Sequence, residues 1–215
     1  MILPLFPLNT VLFPGMALPL HIFEERYRQM INACISQNAP FGVVLIEAGR
    51  EVGAPATPHA IGTSAHIAGV ERMADGRLNI EVVGQQRFHI LRLHHEQTYL
   101  TGTIEEFPLA GGEAGGARQA AAALLPWLVR YLALLGEKAE TKFDPAQMPR
   151  DPASLAYLAA IVAQIPMLEK QQLLARATAQ ELLEHERAIY RRETALLRTM
   201  LQTNPVDQTA GFSTN

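Results

Sequence analysis

Apolar and polar positions along the chain follow two regimes, with a change near residue 109. The first regime opens MILPLFPLNTVLFPGMALPL, a mostly apolar run interrupted by Pro4, Pro7, Pro14 and Pro19. Proline removes a backbone donor and clashes inside a helix. LPLFPL (3–8) therefore predicts a short strand at a sheet margin, where a missing donor leaves no ladder bond unmade. Pro14-Gly15 predicts a turn. In HIFEERYRQMI, Phe23, Tyr27, Met30 and Ile31 recur at helical spacing and predict a helix with one apolar face. Glu24 lies four residues before Arg28, the spacing of a helix-surface ion pair.

Period-two patterning dominates from there to residue 108. FGVVLI (41–46) reads as a buried strand. Asp75-Gly76 separates two extended segments, as a hairpin turn with positive φ requires. The returning arm places Leu78, Ile80 and Val82 on one face, FHILRL (88–93) is a further strand, and YLTGTIEEF (99–107) alternates again. Residues 1–108 thus predict a mainly antiparallel β body with one helix near its start.

Four glycines over six residues in LAGGEAGGARQ predict a flexible joint at 109–119. Helical periodicity holds over 117–201. Pro126 kinks or restarts the first helix, and a loop spans 136–150. Asp151-Pro152 is an N-cap and first-turn pair before Leu155, Leu158, Ile161 and Val162. Thr178-Ala-Gln-Glu181 has the form of a capping box. It opens a long amphipathic helix carrying Leu182, Leu183, Ile189, Tyr190, Leu196 and Leu197. Residues 202–215 lack periodicity and predict a flexible tail. The fold class expected is α+β, a β subdomain followed by a helical subdomain.

Composition narrows the function. At 215 residues and 48% hydrophobic, the chain can bury a substantial core. A net charge of −3 and a pI near 6.2 disfavour a dedicated nucleic-acid binder. The opening apolar run is neither an export signal nor a membrane span, because it has no basic start and its prolines would strand carbonyls in lipid. No membrane association is expected, and the single Cys34 fits a reducing, cytoplasmic setting.

Candidate chemistry is sparse. There is no GxxxxGK[ST] phosphate loop and no HExxH pair. His89, His94 and His95 are close in sequence, but strand alternation separates their faces, so no metal or other cofactor is expected. Ser64 and His66 could be taken for a nucleophile and base, yet the GxSxG elbow is absent. Arg187, Arg191, Arg192 and Arg198 form a basic run. Glu181, Glu184, Glu186 and Glu193 are interleaved with them, which predicts a solvated face laced with ion pairs. What remains is the loop containing Leu12, Phe13, Pro14, Gly15 and Met16. Exposed, it would form a polypeptide-binding patch; buried, it would plug the end of the β body.

LPLFPLNTVLFPGMALPLHIFEERYRQMI resembles the opening of the substrate-binding domain of Lon-type ATP-dependent proteases. The resemblance continues through a VxGxxRF segment at Val82–Phe88 and an LPLxxxEKQxLLE-like segment containing Ile165, Pro166, Glu169 and Lys170. It implies a PUA-like β-barrel with one inserted helix, followed by a helical bundle ending in a long helix. ATPase and Ser-Lys peptidase segments are absent from these 215 residues, so the resemblance implies a stand-alone, non-enzymatic relative.

The function expected is binding of unfolded or apolar polypeptide through Leu12, Phe13, Pro14 and Met16, with an adaptor role toward a protease or chaperone. Two alternatives accompany it: a PUA-like module binding RNA or a small ligand through Arg72, Arg77, Arg87 and Arg92, and a hydrolase at Ser64 and His66. A homodimer through the last helix is an alternative to packing that helix within the chain.

Overall fold

The computed structural model describes residues 1–51, 53, 56–139 and 148–203. In them lie β1 (Ile2–Leu8), β2 (Ala17–Ile22), α1 (Glu25–Gln37), β3 (Phe41–Ala48), β4 (Thr57–Arg72), β5 (Leu78–His94) and β6 (Thr101–Glu106). The helices α2 (Gly115–Ala139), α3 (Pro152–Val162), α4 (Met167–Leu174) and α5 (Ala179–Thr203) follow. Most of the loop expected at 136–150, and residues 204–215 of the expected tail, fall outside the described residues.

The strands close a ring. β1 pairs with β3, β3 with β4, β4 with β5, β5 with β6, and β6 returns to β1, while β2 attaches to the first half of β5. The β4–β5 hairpin turns where Asp75-Gly76 predicted, with Gly76 at φ 81°. Two expectations change. The sheet is mixed, because β1 and β3 run parallel, the intervening β2 and α1 serving as the crossover that parallel neighbours need. And β1 is not marginal. Its pairing is staggered: Ile2–Pro4 face β6 and Leu5–Leu8 face β3. Each of Pro4 and Pro7 is therefore registered against one neighbour only, which is how an inner strand tolerates them.

Helix α1 buries Tyr27, Met30, Ile31 and Cys34. Phe23 precedes the helix and is exposed, and Cys34 takes the place on the apolar face that Phe23 was expected to hold. Arg28 pairs with Glu25 (3.2 Å), while Glu24 pairs with Arg26 (3.0 Å).

In the helical half, α2 buries Ala117, Ala120, Ala121, Leu124, Leu128 and Tyr131 along one stripe. The segment Gly115–Gly136 is long and apolar enough to cross a membrane by length and composition, with mean hydropathy 1.3. Its stripe instead shares a core with Leu182, Leu183, Ile189 and Tyr190 of α5. The helix runs through Pro126, which is exposed. Asp151 caps α3 by accepting from the Ser154 N–H (2.9 Å). Thr178 Oγ1 accepts from the Glu181 N–H (3.2 Å) at the start of α5.

The joint between the halves is short and held. Gly115 and Gly116 form the first turn of α2, and Ala110 exchanges two backbone hydrogen bonds, with Ala177 (3.0 Å) and Ala179 (2.8 Å). Val11, Phe13 and Leu45 from the β half belong to the same buried cluster as the helical residues, so the halves share one core.

Candidate functional site

The loop singled out by the sequence is an anchor, not an exposed patch. Phe13 is 0% and Leu12 1% accessible. Phe13 enters the helical core and Leu12 enters the core beneath α1. Both side chains are therefore sealed in the folded chain, which corrects the expectation that they meet a partner. The cause is local. Phe13-Pro14-Gly15-Met16 is a tight turn closed by the Met16 N–H donating to the Phe13 carbonyl (3.0 Å), with Gly15 at φ 78°. The turn docks on Gly84 through Gly15 N–H to Gly84 O (2.8 Å) and Gly84 N–H to Met16 O (2.9 Å). A Cβ at Gly84 would run into the Phe13 carbonyl oxygen. Thr63 Oγ1 donates to the Leu12 carbonyl (2.6 Å). Of the four residues named, Pro14 and Met16 are half-buried, and Pro14 lines an open hollow.

Three residues after Gly84, Arg87 is buried at the seam between strands and helices. Its Nη1 donates to the carbonyls of Leu174 (2.7 Å) and Arg176 (2.6 Å), at the C-terminal end of α4, where the helix dipole favours a cation. The guanidinium carbon lies 4.6 Å from the Phe107 ring centre and 6.0 Å from that of Tyr157. Desolvation pulls its pKa down from the usual arginine value, opposed by the Tyr157 phenol. Burial raises Tyr157 in turn. Gln171 adds a second tie across the seam, Nε2 donating to the Ile61 carbonyl (2.9 Å). Arg72, Arg77, Arg87 and Arg92 thus do not form one surface. Arg87 is internal, Arg72 reaches Asn32 on α1 (2.9 Å), and Arg77 folds onto Asp75 (2.6 Å).

Around this seam lie three adjoining hollows, of about 320, 240 and 350 Å³. The first is walled by Leu3, Phe88, Ile104 and His66, the second by Pro108, Leu109 and Tyr157, and the third by Leu158 and Ile161. The first two share Gln85, Gln86, Arg87 and Glu106; the second and third share Pro14 and Tyr157. Together they form a mostly apolar groove with amide and carboxylate side chains at its middle. Ser64 sits in it with its Oγ donating to the Gln86 carbonyl (3.2 Å) and accepting from the Gln86 N–H (3.2 Å), engaged with backbone and not with His66. His94 bonds Thr103 (2.8 Å), and among the described residues no three His, Cys, Asp or Glu side chains come together to hold a metal. Nothing in the sequence marks Tyr157, Gln85, Gln86 and Glu106, whereas Arg87 is marked there as a member of an RNA- or ligand-binding set and, with Gly84 and Phe88, of the VxGxxRF pattern.

Residues 2–190 match the family model described as the ATP-dependent protease La (LON) substrate-binding domain. The chain belongs to this family. It is 29% identical over 176 residues to the Lon protease of Anaeromyxobacter dehalogenans, covering 80% of this chain and 21% of that protein. The Lon protease of Flavobacterium johnsoniae is 36% identical over 106 residues, 48% of this chain and 13% of that protein. The chain therefore spans about a fifth or less of these relatives' lengths. A Lon N-terminal domain protein from Xanthomonas campestris superposes with TM-score 0.63 at 25% identity, over 87% of this chain and 98% of that one. The N-terminal domain of a Mycobacterium avium complex Lon protease shares the fold, with TM-score 0.69 at 21% identity over 91% and 98% of the two chains. Within the Lon family pattern, Gly84, Arg87 and Phe88 now have physical roles: the first receives the FPG turn, the second ties the halves together, and the third fills the barrel.

Proposed function

We propose that this Lon-family domain binds extended, apolar polypeptide segments in the groove along its seam. The observation that carries the reading is the run of three adjoining hollows, the first walled by the β half and the second and third by both halves of the molecule. Alternating apolar walls and amide groups suit an extended chain, which offers side chains to the former and backbone donors and acceptors to the latter. Lon family membership supports a substrate-binding role, and presentation of segments to an ATP-dependent protease is the adaptor function this reading assigns. The test is titration of a fluorescently labelled, denatured model protein against the wild type and Leu158→Glu combined with His66→Glu. Both side chains line the groove and neither is fully buried, and circular dichroism of the double variant checks that the fold is retained. The expected result is a loss of affinity of roughly tenfold or more, as when a central apolar contact is replaced by charge. Equal binding by both proteins overturns the groove as the site.

A further inference from the structure

The interleaved Arg and Glu residues of α5 do not form the evenly mixed face that their order in sequence predicts. Glu186 turns into the helical core. Glu193 and Glu169 both engage Arg192, at 2.8 and 2.7 Å. Arg191 and Arg198 have no carboxylate partner among the described residues. With Arg130 of α2 and Arg192, they line one open groove of about 530 Å³ between α2 and α5, and no acidic side chain among the described residues lines it. Trp127 forms one wall, with the Arg191 guanidinium 5.6 Å from its ring centre. Ala188 and Ala195 keep the floor low. Thr194 lies there too, buried, its hydroxyl without a hydrogen-bond partner among the described residues.

We propose that this groove is a second binding surface, for short acidic polypeptide segments. Arg130, Arg191 and Arg198 around an aromatic wall complement carboxylates, Arg192 being already paired with Glu169 and Glu193, and the Thr194 hydroxyl lies at the floor. A long polyanion such as RNA fits less well. It carries charge at every nucleotide, and beyond this groove it would run over a chain whose net charge is −3. A short acidic segment confines its charge to the groove. The surface shares no residue with the seam groove, so its failure and that of the seam reading are separable.

Trp127 is the only tryptophan of the chain, so intrinsic tryptophan fluorescence reports on this groove alone. A tryptophan-free peptide rich in Glu and Asp, titrated into the full chain, is expected to produce a saturable fluorescence change. The change should weaken as salt rises, because the Debye length falls from about 10 Å at 0.1 M to roughly 3 Å at 1 M. Arg191→Gln with Arg198→Gln should weaken it roughly five- to tenfold, the effect of losing two exposed charge pairs. Calorimetry on the same pair of proteins covers the case in which Arg191→Gln itself alters the fluorescence. An equal response to a Lys-rich peptide of the same length overturns the proposal, as does an unchanged affinity in the double variant. Tighter binding of oligouridylate than of the acidic peptide overturns the occupant assigned.

Discussion

Arg87 at the seam and Glu186 in the interior of the helical half are both buried without an opposite charge beside them, and the protein handles them in contrasting ways. At the seam, Arg87 is given acceptors through Nη1, two carbonyls at the end of α4, and two aromatic faces, while its Nε and Nη2 have no hydrogen-bond partner among the described residues. It stays a cation and works as a tie. In the helical core, Glu186 is given nothing, and neither carboxylate oxygen has a hydrogen-bond partner among the described residues. Desolvation pushes its pKa well above the usual value, which favours the neutral acid. A buried charge that is solvated by the protein fixes geometry, whereas one that is only enclosed costs stability.

The largest test strikes the seam itself. Phe13→Asp places a carboxylate where a phenyl ring is fully buried, and urea unfolding should show a loss of at least about 4 kcal/mol or no folded protein. Native-like stability in that variant would mean that the FPG turn does not anchor the halves. Next in size, Arg87→Met removes two charge-assisted hydrogen bonds and strands the Leu174 and Arg176 carbonyls. Relief of the arginine's desolvation offsets part of this, leaving a loss of about 2–4 kcal/mol. Destabilisation below about 1 kcal/mol would put Arg87 in the same class as Glu186.

Glu186→Leu should move the other way, stabilising by about 1–3 kcal/mol at pH 8 by the same unfolding assay. The sign follows from linkage. Because the folded-state pKa is raised, the folded chain keeps a proton that the unfolded chain releases. The wild type is therefore favoured below the ordinary value of 4.5 and loses stability as pH climbs above it. The advantage of the leucine variant should thus grow as pH rises above 4.5, by up to about 1.4 kcal/mol per unit, until the raised folded-state value is passed. An advantage constant with pH would show that Glu186 is not the group responsible. Smallest is Tyr157→Phe, which deletes the phenol that acts on the Arg87 guanidinium. It should cost about 0.5–1.5 kcal/mol in the wild type and close to nothing in Arg87→Met, a non-additivity readable from a double-mutant cycle.

Local features were legible in the chain. Asp75-Gly76, Asp151-Pro152 and the Thr178–Glu181 cap work through neighbours within a few residues, and each acts where the pattern puts it. What escaped depends on distant segments. Phe13 reads as a loop residue because nothing near it in sequence reveals that Gly84 will receive its turn. Arg87 reads as a surface base because its acceptors come from residues 174 and 176. Glu186 falls between Leu182, Leu183, Ile189 and Tyr190 on the apolar stripe, so helical spacing alone already pointed inward. The alternation of charges nearby masked it. The seam groove could not be read at all, since its walls come from seven separated stretches brought together only by the fold.

The return of β6 to β1 bears on how the molecule comes to exist. The backbone bond between Met1 and Ile104 joins residues 103 positions apart, and the first strand has no mate on that side until β6 has been made. At translation speeds of about 5–20 residues per second, that interval is on the order of 5–20 s. Throughout it, an apolar strand rich in proline waits with one flank bare. Pro4 and Pro7, which withhold donors from any stray neighbour, make the nascent segment a poor template for misassembly during the wait.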